Sequence, residues 1–145
     1  MTSSPASRPA ATPDPSRWVL LSAVLDGALV VLFTVIGRIS HGEGVGIGGV
    51  ATTAWPFLTG ALLAWLVFSV WRRPLALVRA GIPVWVLTVV VGMLLRAVSA
   101  QGIQPSFVVV ASIVLGVFLL GWRAIMLPVA RRQARRTAVP RASAR

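Results

Sequence analysis

The stretch GVATTAWPFLTGALLAWLVFSVWRR, residues 49–73, carries no charge until its last two positions, Arg72 and Arg73. About 20 apolar residues in a helix cross the ~30 Å hydrocarbon core of a bilayer, because each residue adds about 1.5 Å. The run from Gly49 to Trp71 is long enough to do so. It therefore predicts a transmembrane helix that ends at a positively charged membrane surface.

Three further apolar runs of similar length share the chain with this one. The four predicted helices span about residues 18–37, 49–71, 81–98 and 106–127. With 57% hydrophobic and 12% charged residues and a mean hydropathy of +0.86, the 145-residue chain is far more apolar than a soluble domain. The sequence predicts an all-α integral membrane bundle of four transmembrane helices, in one domain over residues 17–128.

The two ends of the chain differ from this domain in composition. Residues 1–16 are rich in Pro, Ser, Ala and Thr and predict a disordered tail. A signal peptide is the competing interpretation, but the first run is longer than usual for one and no small-residue cleavage site follows it. Residues 129–145 are expected to form a basic cytoplasmic tail, with Pro128 ending the last helix. Pro56 and Pro83 are expected near helix starts, where a missing N–H costs little.

The arginines are distributed unevenly about the four runs. Twelve of the 14 lie in the N-terminal tail, the second hinge and the C-terminal end, whereas Arg38 and Arg96 lie at the other two hinges. Short loops rich in Arg and Lys stay in the cytoplasm. The pattern therefore predicts an N-in/C-in protein of the bacterial inner membrane, with both termini cytoplasmic. Four tryptophans fall near the same interface, as in an aromatic belt: Trp18, Trp71, Trp85 and Trp122.

The partners follow from where the basic and small residues lie. The net charge is +11, but the arginines flank apolar runs and no recognition motif is present, so we expect no nucleic-acid partner. Within the basic tail, the run from Arg131 to Arg136 is expected to attract anionic lipids of the bilayer. Each helix also carries two small residues four apart, which predict ordinary helix packing, with a homo-oligomer or membrane-partner interface as the alternative. The pairs are Ala23/Gly27, Gly60/Ala64, Thr88/Gly92 and Ser112/Gly116.

Chemistry-bearing residues are too few for an enzyme. The chain has no cysteine, one histidine and three acidic residues, so we expect no catalytic activity, no cofactor and no metal. Gly44, Gly46 and Gly49 match the G-x-G-x-x-G pattern of dinucleotide sites. That motif needs a preceding strand and an acid about 20 residues further on. Here a predicted membrane helix precedes it and no acid follows Glu43, so nucleotide binding is excluded.

A polar cluster is expected on the outer face, where the first and third helices end. It comprises Arg38, His41, Glu43 and Arg96. One interpretation is an interfacial ion pair between Glu43 and either arginine, which holds the loop against the bundle. The other is a site for a small anion or a lipid headgroup, in which the arginines bind the anion through paired N–H donors and His41 is a titrating member.

Asp26 is the candidate inside the membrane. It lies roughly 12 Å along the helix from Trp18, where a charge costs on the order of 3 kcal/mol and is usually paired, protonated or functional. Thr88 is at a similar predicted depth, and Arg123 can reach Asp26 if the fourth helix continues to Leu127. A buried Asp26–Arg123 pair that fixes helix register is one interpretation. A carboxylate that couples transport to protons is the other.

Several segments together resemble a bacterial family of uncharacterised membrane proteins, the domain of unknown function 3054 family. The resemblance covers roughly residues 18–127, without the tails. It rests on Asp26-Gly27, Gly37-Arg38 with Ser40-His41-Gly42, Thr53-Ala54-Trp55-Pro56-Phe57 with Gly60, Arg72-Arg73-Pro74, Val84-Trp85, Gly92-Met93-Leu94-Leu95-Arg96 and Gly121-Trp122-Arg123. It implies a four-helix integral membrane protein with no assigned activity. The expected role is structural or partner-binding, with a small proton-coupled transporter or channel as the alternative.

Overall fold

The computed structural model describes residues 15–138, with the side chains of residues 16–132, and every element in this range is helical. The four long helices are α1 (Pro15–Ser40), α2 (Ile47–Val67), α3 (Ile82–Val98) and α4 (Pro105–Ala138). Two short helical turns, Val70–Arg72 and Leu77–Gly81, lie in the α2–α3 connection. Each long helix, with α3 extended by the second turn, is long and apolar enough to cross a membrane, which confirms the predicted four-helix class.

Successive helices run in opposite directions, so the bundle has two ends. At the proximal end α1 begins, α4 ends and the α2–α3 connection lies. The α1–α2 and α3–α4 connections lie at the distal end. Each of α1 and α3 contacts both α2 and α4, which gives a closed arrangement of four helices.

The interior of the bundle is filled by apolar side chains from all four helices. Phe33, Phe57 and Phe107 form an aromatic cluster, in which the rings of Phe33 and Phe57 meet edge to face with centroids 5.5 Å apart. Leu115 and Leu119 of α4 are fully buried. Many other large apolar side chains face outward on every helix. A helix that is apolar on all sides is typical of a membrane span, where lipid covers the outward face.

Small residues allow α2 and α3 to approach closely. A Cβ atom on Gly60 would lie 2.6 Å from the carbonyl oxygen of Leu87, and one on Gly92 would overlap the ring of Phe57. These glycines therefore act in helix packing, as their spacing predicts. By contrast, nothing described lies within 4 Å of a Cβ on Gly27. Gly27 thus makes no close helix contact of this kind within the described residues, and Ala23, the other member of the α1 pair, is exposed.

The structure corrects three predictions about the helices, namely where α2 ends, where Pro56 lies and where α4 ends. α2 ends at Val67, before the expected Trp71, because Ser69 turns the chain with a left-handed φ of 48°. Pro56 lies inside α2, not near its start. Pro128 lies inside α4, which continues to Ala138. The helix tolerates the loss of one backbone hydrogen bond there because the following segment is rich in Ala, Arg and Gln, which favour helix.

The predicted N-terminal tail falls mostly outside the described residues, whereas the predicted C-terminal tail is helical as far as Ala138. α1 already begins at Pro15, so the last two residues of the expected N-terminal tail are helical. The predictions for residues 1–14 and 139–145 concern parts of the chain that the structure does not describe.

Candidate functional site

The proximal half of the bundle encloses the carboxylate of Asp26, whose residue is 1% exposed. Arg123 of α4 binds it with two parallel bonds, from Nη1 to Oδ1 at 2.7 Å and from Nη2 to Oδ2 at 2.6 Å. Trp65 of α2 donates its indole N–H to Oδ2 at 3.0 Å, and Trp122 of α4 donates to Oδ1 at 2.9 Å. Each carboxylate oxygen therefore accepts one arginine bond and one indole bond.

Arg123 is 0% exposed and has partners beyond Asp26. Its Nε donates to the carbonyl oxygen of Pro74 at 3.0 Å, and its Nη1 also donates to the carbonyl of Leu119 at 2.9 Å. The guanidinium carbon lies 4.5 Å from the centre of the Trp122 ring, a cation–π distance. One side chain thus connects α4 to α1 and to the α2–α3 connection.

This geometry meets the conditions under which a buried ion pair is stable. Removing two charges from water is costly, and their attraction offsets that cost only with good geometry and with further hydrogen bonds to the remaining polar atoms. A two-point contact between guanidinium and carboxylate provides the first condition. The two indoles and the two backbone carbonyls provide the second. Asp26, Arg123, Trp65 and Trp122 therefore form a fixed contact between α1, α2 and α4 in the proximal half, which we call the Asp26 junction.

Thr88 does not join this junction, although its predicted depth made it a candidate donor. Its side chain is fully buried, and its hydroxyl has no hydrogen-bond partner among the described residues. Thr88 lies instead at the close α2–α3 crossing, where a Cβ on Gly60 would be 2.9 Å from its Cα atom. Trp65 of α2 supplies the hydrogen bond to Asp26 that we expected from α3.

At the distal end, Arg38 pairs with Glu43 across 2.8 Å. The same arginine donates from Nε to the carbonyl of Gly44 at 2.8 Å and from Nη1 to the hydroxyl of Thr53 at 3.0 Å. Gly49 makes room for it, because a Cβ there would lie 2.5 Å from Arg38 Nη2. Arg38 therefore fastens the α1–α2 connection to the start of α2.

Neither of the other two residues of the expected outer cluster makes a side-chain bond to this pair, although Arg96 is near enough to Glu43 for their charges to attract. Arg96 donates to the side chain and the carbonyl of Gln101 at 3.0 and 3.1 Å, and its guanidinium carbon lies 4.5 Å from the Phe107 ring centre. His41 is exposed, and within the described part of the chain it forms hydrogen bonds through its backbone N–H alone. The four residues thus divide between two connections. Within the described residues, no group of three His, Cys, Asp or Glu side chains is placed to hold a metal ion.

The sequence matches the model of one protein family over residues 23–126, well over half of the 145-residue chain. That family is described as "Protein of unknown function (DUF3054)". The chain belongs to the DUF3054 family. Searches of the curated proteins and of the solved structures find no match to it.

The region matched to DUF3054 contains the Asp26 junction and both distal arginines, and it excludes the two tails. The match therefore confirms the expected family and coincides with the part of the chain that forms the bundle. The family description assigns no activity to any of these residues.

Three indoles of this DUF3054 protein have roles that the sequence does not predict. Trp122, expected in an aromatic belt, donates inward to Asp26, and Trp85 donates inward to the carbonyl of Ser112 at 2.9 Å. Trp65, for which the sequence predicts no such role, donates to the same carboxylate. A usable signal exists, because a Trp in the interior of an apolar run needs an acceptor for its N–H, and a buried carboxylate has several lone pairs to fill.

Proposed function

We propose that this DUF3054 protein is a non-enzymatic, multi-pass protein of the bacterial inner membrane whose role is structural or partner-binding. The observation that carries the proposal is that the side chain of Asp26 is fully enclosed by its hydrogen-bond donors. The one carboxylate deep within the described helices is held by four donors and is 1% exposed. Such a group contributes to the architecture of a bundle and leaves its outer faces for lipid, for a second copy of the chain or for a membrane partner.

A coupling carboxylate in a transporter has different requirements. It must exchange protons with water, and it must be released from its partners during the transport cycle. Asp26 is instead enclosed by side chains of α2 and α4. The presence of an intramembrane acid supports the alternative role as a small proton-coupled transporter or channel. The geometry around that acid does not support it.

Proton flux into liposomes tests this proposal. Purified wild-type protein, Asp26→Asn and Glu43→Gln are reconstituted with a pH-sensitive dye inside, and a pH gradient is imposed. Glu43→Gln is the matched control, since it removes the other carboxylate of the described residues. We expect the same background flux in all three. A wild-type flux that disappears in folded Asp26→Asn and persists in Glu43→Gln would overturn the structural role.

The proposal includes an orientation with both termini in the cytoplasm. It rests on the distribution of the arginines in the sequence, since twelve of the 14 lie in the N-terminal tail, the second hinge and the C-terminal end, and short basic loops stay in the cytoplasm. In this orientation the basic tail is on the side of the anionic inner leaflet, whose lipids would attract it. A reporter that is active only in the cytoplasm, fused after Arg145, is expected to be active. Activity only of an exported reporter at the same position would reverse the orientation.

A further inference from the structure

The α2–α3 connection forms a concave pocket of about 430 Å³ at the proximal end of the bundle. Three arginines line it, Arg72, Arg73 and Arg79, together with apolar residues from the end of α2. The pocket is separate from the Asp26 junction, whose residues are not among its lining residues. No residue of α4 is among its lining residues either.

The shape of this pocket follows from two local features of the chain. Ser69 adopts a left-handed conformation that ends α2 and turns the chain back on itself. Val70 is then buried at 2% exposure and anchors the turn in the bundle. Further along, the carbonyl of Pro74 is held by Arg123 at 3.0 Å. The connection is therefore fixed to the bundle at two points, and the arginines project from a defined backbone.

The charge in the pocket is not compensated by the described part of the chain. Its two carboxylates are Asp26 and Glu43, and these are paired with Arg123 and Arg38. No ion pair from a described residue reaches Arg72, Arg73 or Arg79, and all three side chains are exposed. The positive-inside rule requires that arginines lie on one side of the membrane, but it does not require three of them to line one cavity.

The chemistry of the lining indicates the ligand. Guanidinium groups bind phosphate oxygens through paired N–H donors, and several arginines around one cavity are suited to a group with more than one anionic oxygen. The volume is within the range of small-molecule sites, so it has room for more than a single inorganic ion. At its edge, Val67 and Phe68 are 67% and 47% exposed, and they offer apolar contact to the rest of an amphipathic molecule.

We propose that this pocket binds a phosphate group, carried by an acidic phospholipid headgroup or present as free phosphate. Arg72, Arg73 and Arg79 hold the phosphate oxygens, and Phe68 contacts the attached glycerol or acyl region. The site is distinct from the diffuse attraction of the basic tail for anionic lipid, because it depends on where these three arginines lie and not on the total charge of the surface.

Calorimetric titration of the purified full-length protein tests the proposal, with short-chain phosphatidylglycerol, short-chain phosphatidylcholine and inorganic phosphate as probes. The test variant is Arg72→Gln/Arg73→Gln/Arg79→Gln. The matched control is Arg17→Gln/Arg131→Gln/Arg132→Gln, which also removes three exposed arginines of the proximal end. We expect the test variant to bind at least one of the two anionic probes at least tenfold more weakly, about 1.4 kcal/mol, and the control to change by less than about threefold.

The outcomes of this titration separate the explanations. Preference for phosphatidylglycerol over both other probes assigns the site to a lipid headgroup, and binding of inorganic phosphate with no advantage for the lipid assigns it to free phosphate. Equal weakening in the two triple variants, or no binding by the wild type, overturns the proposal. If the test variant does not fold, Arg73→Lys is used instead, because it keeps the charge and removes the paired N–H donors of the guanidinium group. A loss of affinity in that variant supports the site, and unchanged affinity contradicts it.

Discussion

Two ion pairs of nearly equal length lie in different halves of this bundle. Arg123 and Asp26 are 2.6 Å apart with side chains 0% and 2% exposed, whereas Arg38 and Glu43 are 2.8 Å apart with side chains 17% and 53% exposed. The first pair joins residues 97 positions apart in the chain, and the second joins residues within one connection. Distance alone does not distinguish them. Burial and sequence separation do.

The difference in burial changes what each pair contributes. Attraction between exposed charges is weakened by water and salt, so a surface pair adds roughly 0–1 kcal/mol. A buried pair is strongly attracted, but its value appears mainly when one partner is removed and the other charge is left uncompensated. We therefore expect the two pairs to respond very differently to the loss of a single charge.

The largest effect is expected when one charge of the proximal pair is removed. Asp26→Ala leaves the guanidinium of Arg123 buried without its counter-ion, and should lower the free energy of unfolding by about 3–5 kcal/mol. Unfolding by denaturing detergent, followed by circular dichroism, measures this loss. A loss below about 1 kcal/mol, the size expected of an exposed pair, would contradict the distinction between the two pairs.

Removal of both charges sharpens the same comparison. Asp26→Leu combined with Arg123→Met replaces the buried pair with apolar side chains of similar size, and in other proteins such replacements are often neutral or stabilising. We expect the double variant to recover most of the stability lost in Asp26→Ala. If the loss of stability in the double variant equals the sum of the losses in the two single variants, Arg123 contributes mainly through Pro74 and Leu119 and not through Asp26.

An intermediate effect is expected for a single indole donor. Trp65→Phe removes one hydrogen bond to the carboxylate of Asp26, and a bond to a charged group contributes roughly 1.5 kcal/mol or more. Trp71→Phe is the matched control, since Trp71 is 43% exposed and the structure gives its indole no described acceptor. The same detergent titration should show a clear loss in the first variant and almost none in the second. Equal losses would indicate that ring size, not the hydrogen bond, is what matters.

The smallest effect is expected at the distal end. Glu43→Gln removes the charge that faces Arg38, but Arg38 keeps its bonds to Gly44 and Thr53. The free energy of unfolding should fall by roughly 0–1 kcal/mol, and less in high salt than in low salt. Parallel titrations at two salt concentrations measure this difference. A salt-independent loss as large as that of Asp26→Ala would remove the contrast between the two ends.

Much of the architecture is readable from the sequence because the bilayer imposes simple rules. The number of spans follows from run length, and the meeting of Asp26 and Arg123 follows from having one deep acid and one arginine within reach. The rotation of α2 about its axis is not readable, since that helix is apolar on all sides. The sequence therefore favours Thr88 as a donor to Asp26, whereas the structure has Trp65. Whether α4 continues past Pro128 depends on the helix-forming residues that follow, and a rule about proline alone does not take them into account.

The span of 97 residues between Asp26 and Arg123 also has a consequence for biosynthesis. Of the four long helices α1 is translated first, and an interval follows before two of the three side chains that donate to its carboxylate, Trp122 and Arg123, are translated. During that interval Trp65 of α2 is the donor that can reach the carboxylate. The carboxylate of Asp26 therefore lacks its arginine partner until α4 has been translated. Final assembly of the bundle thus waits for the last helix.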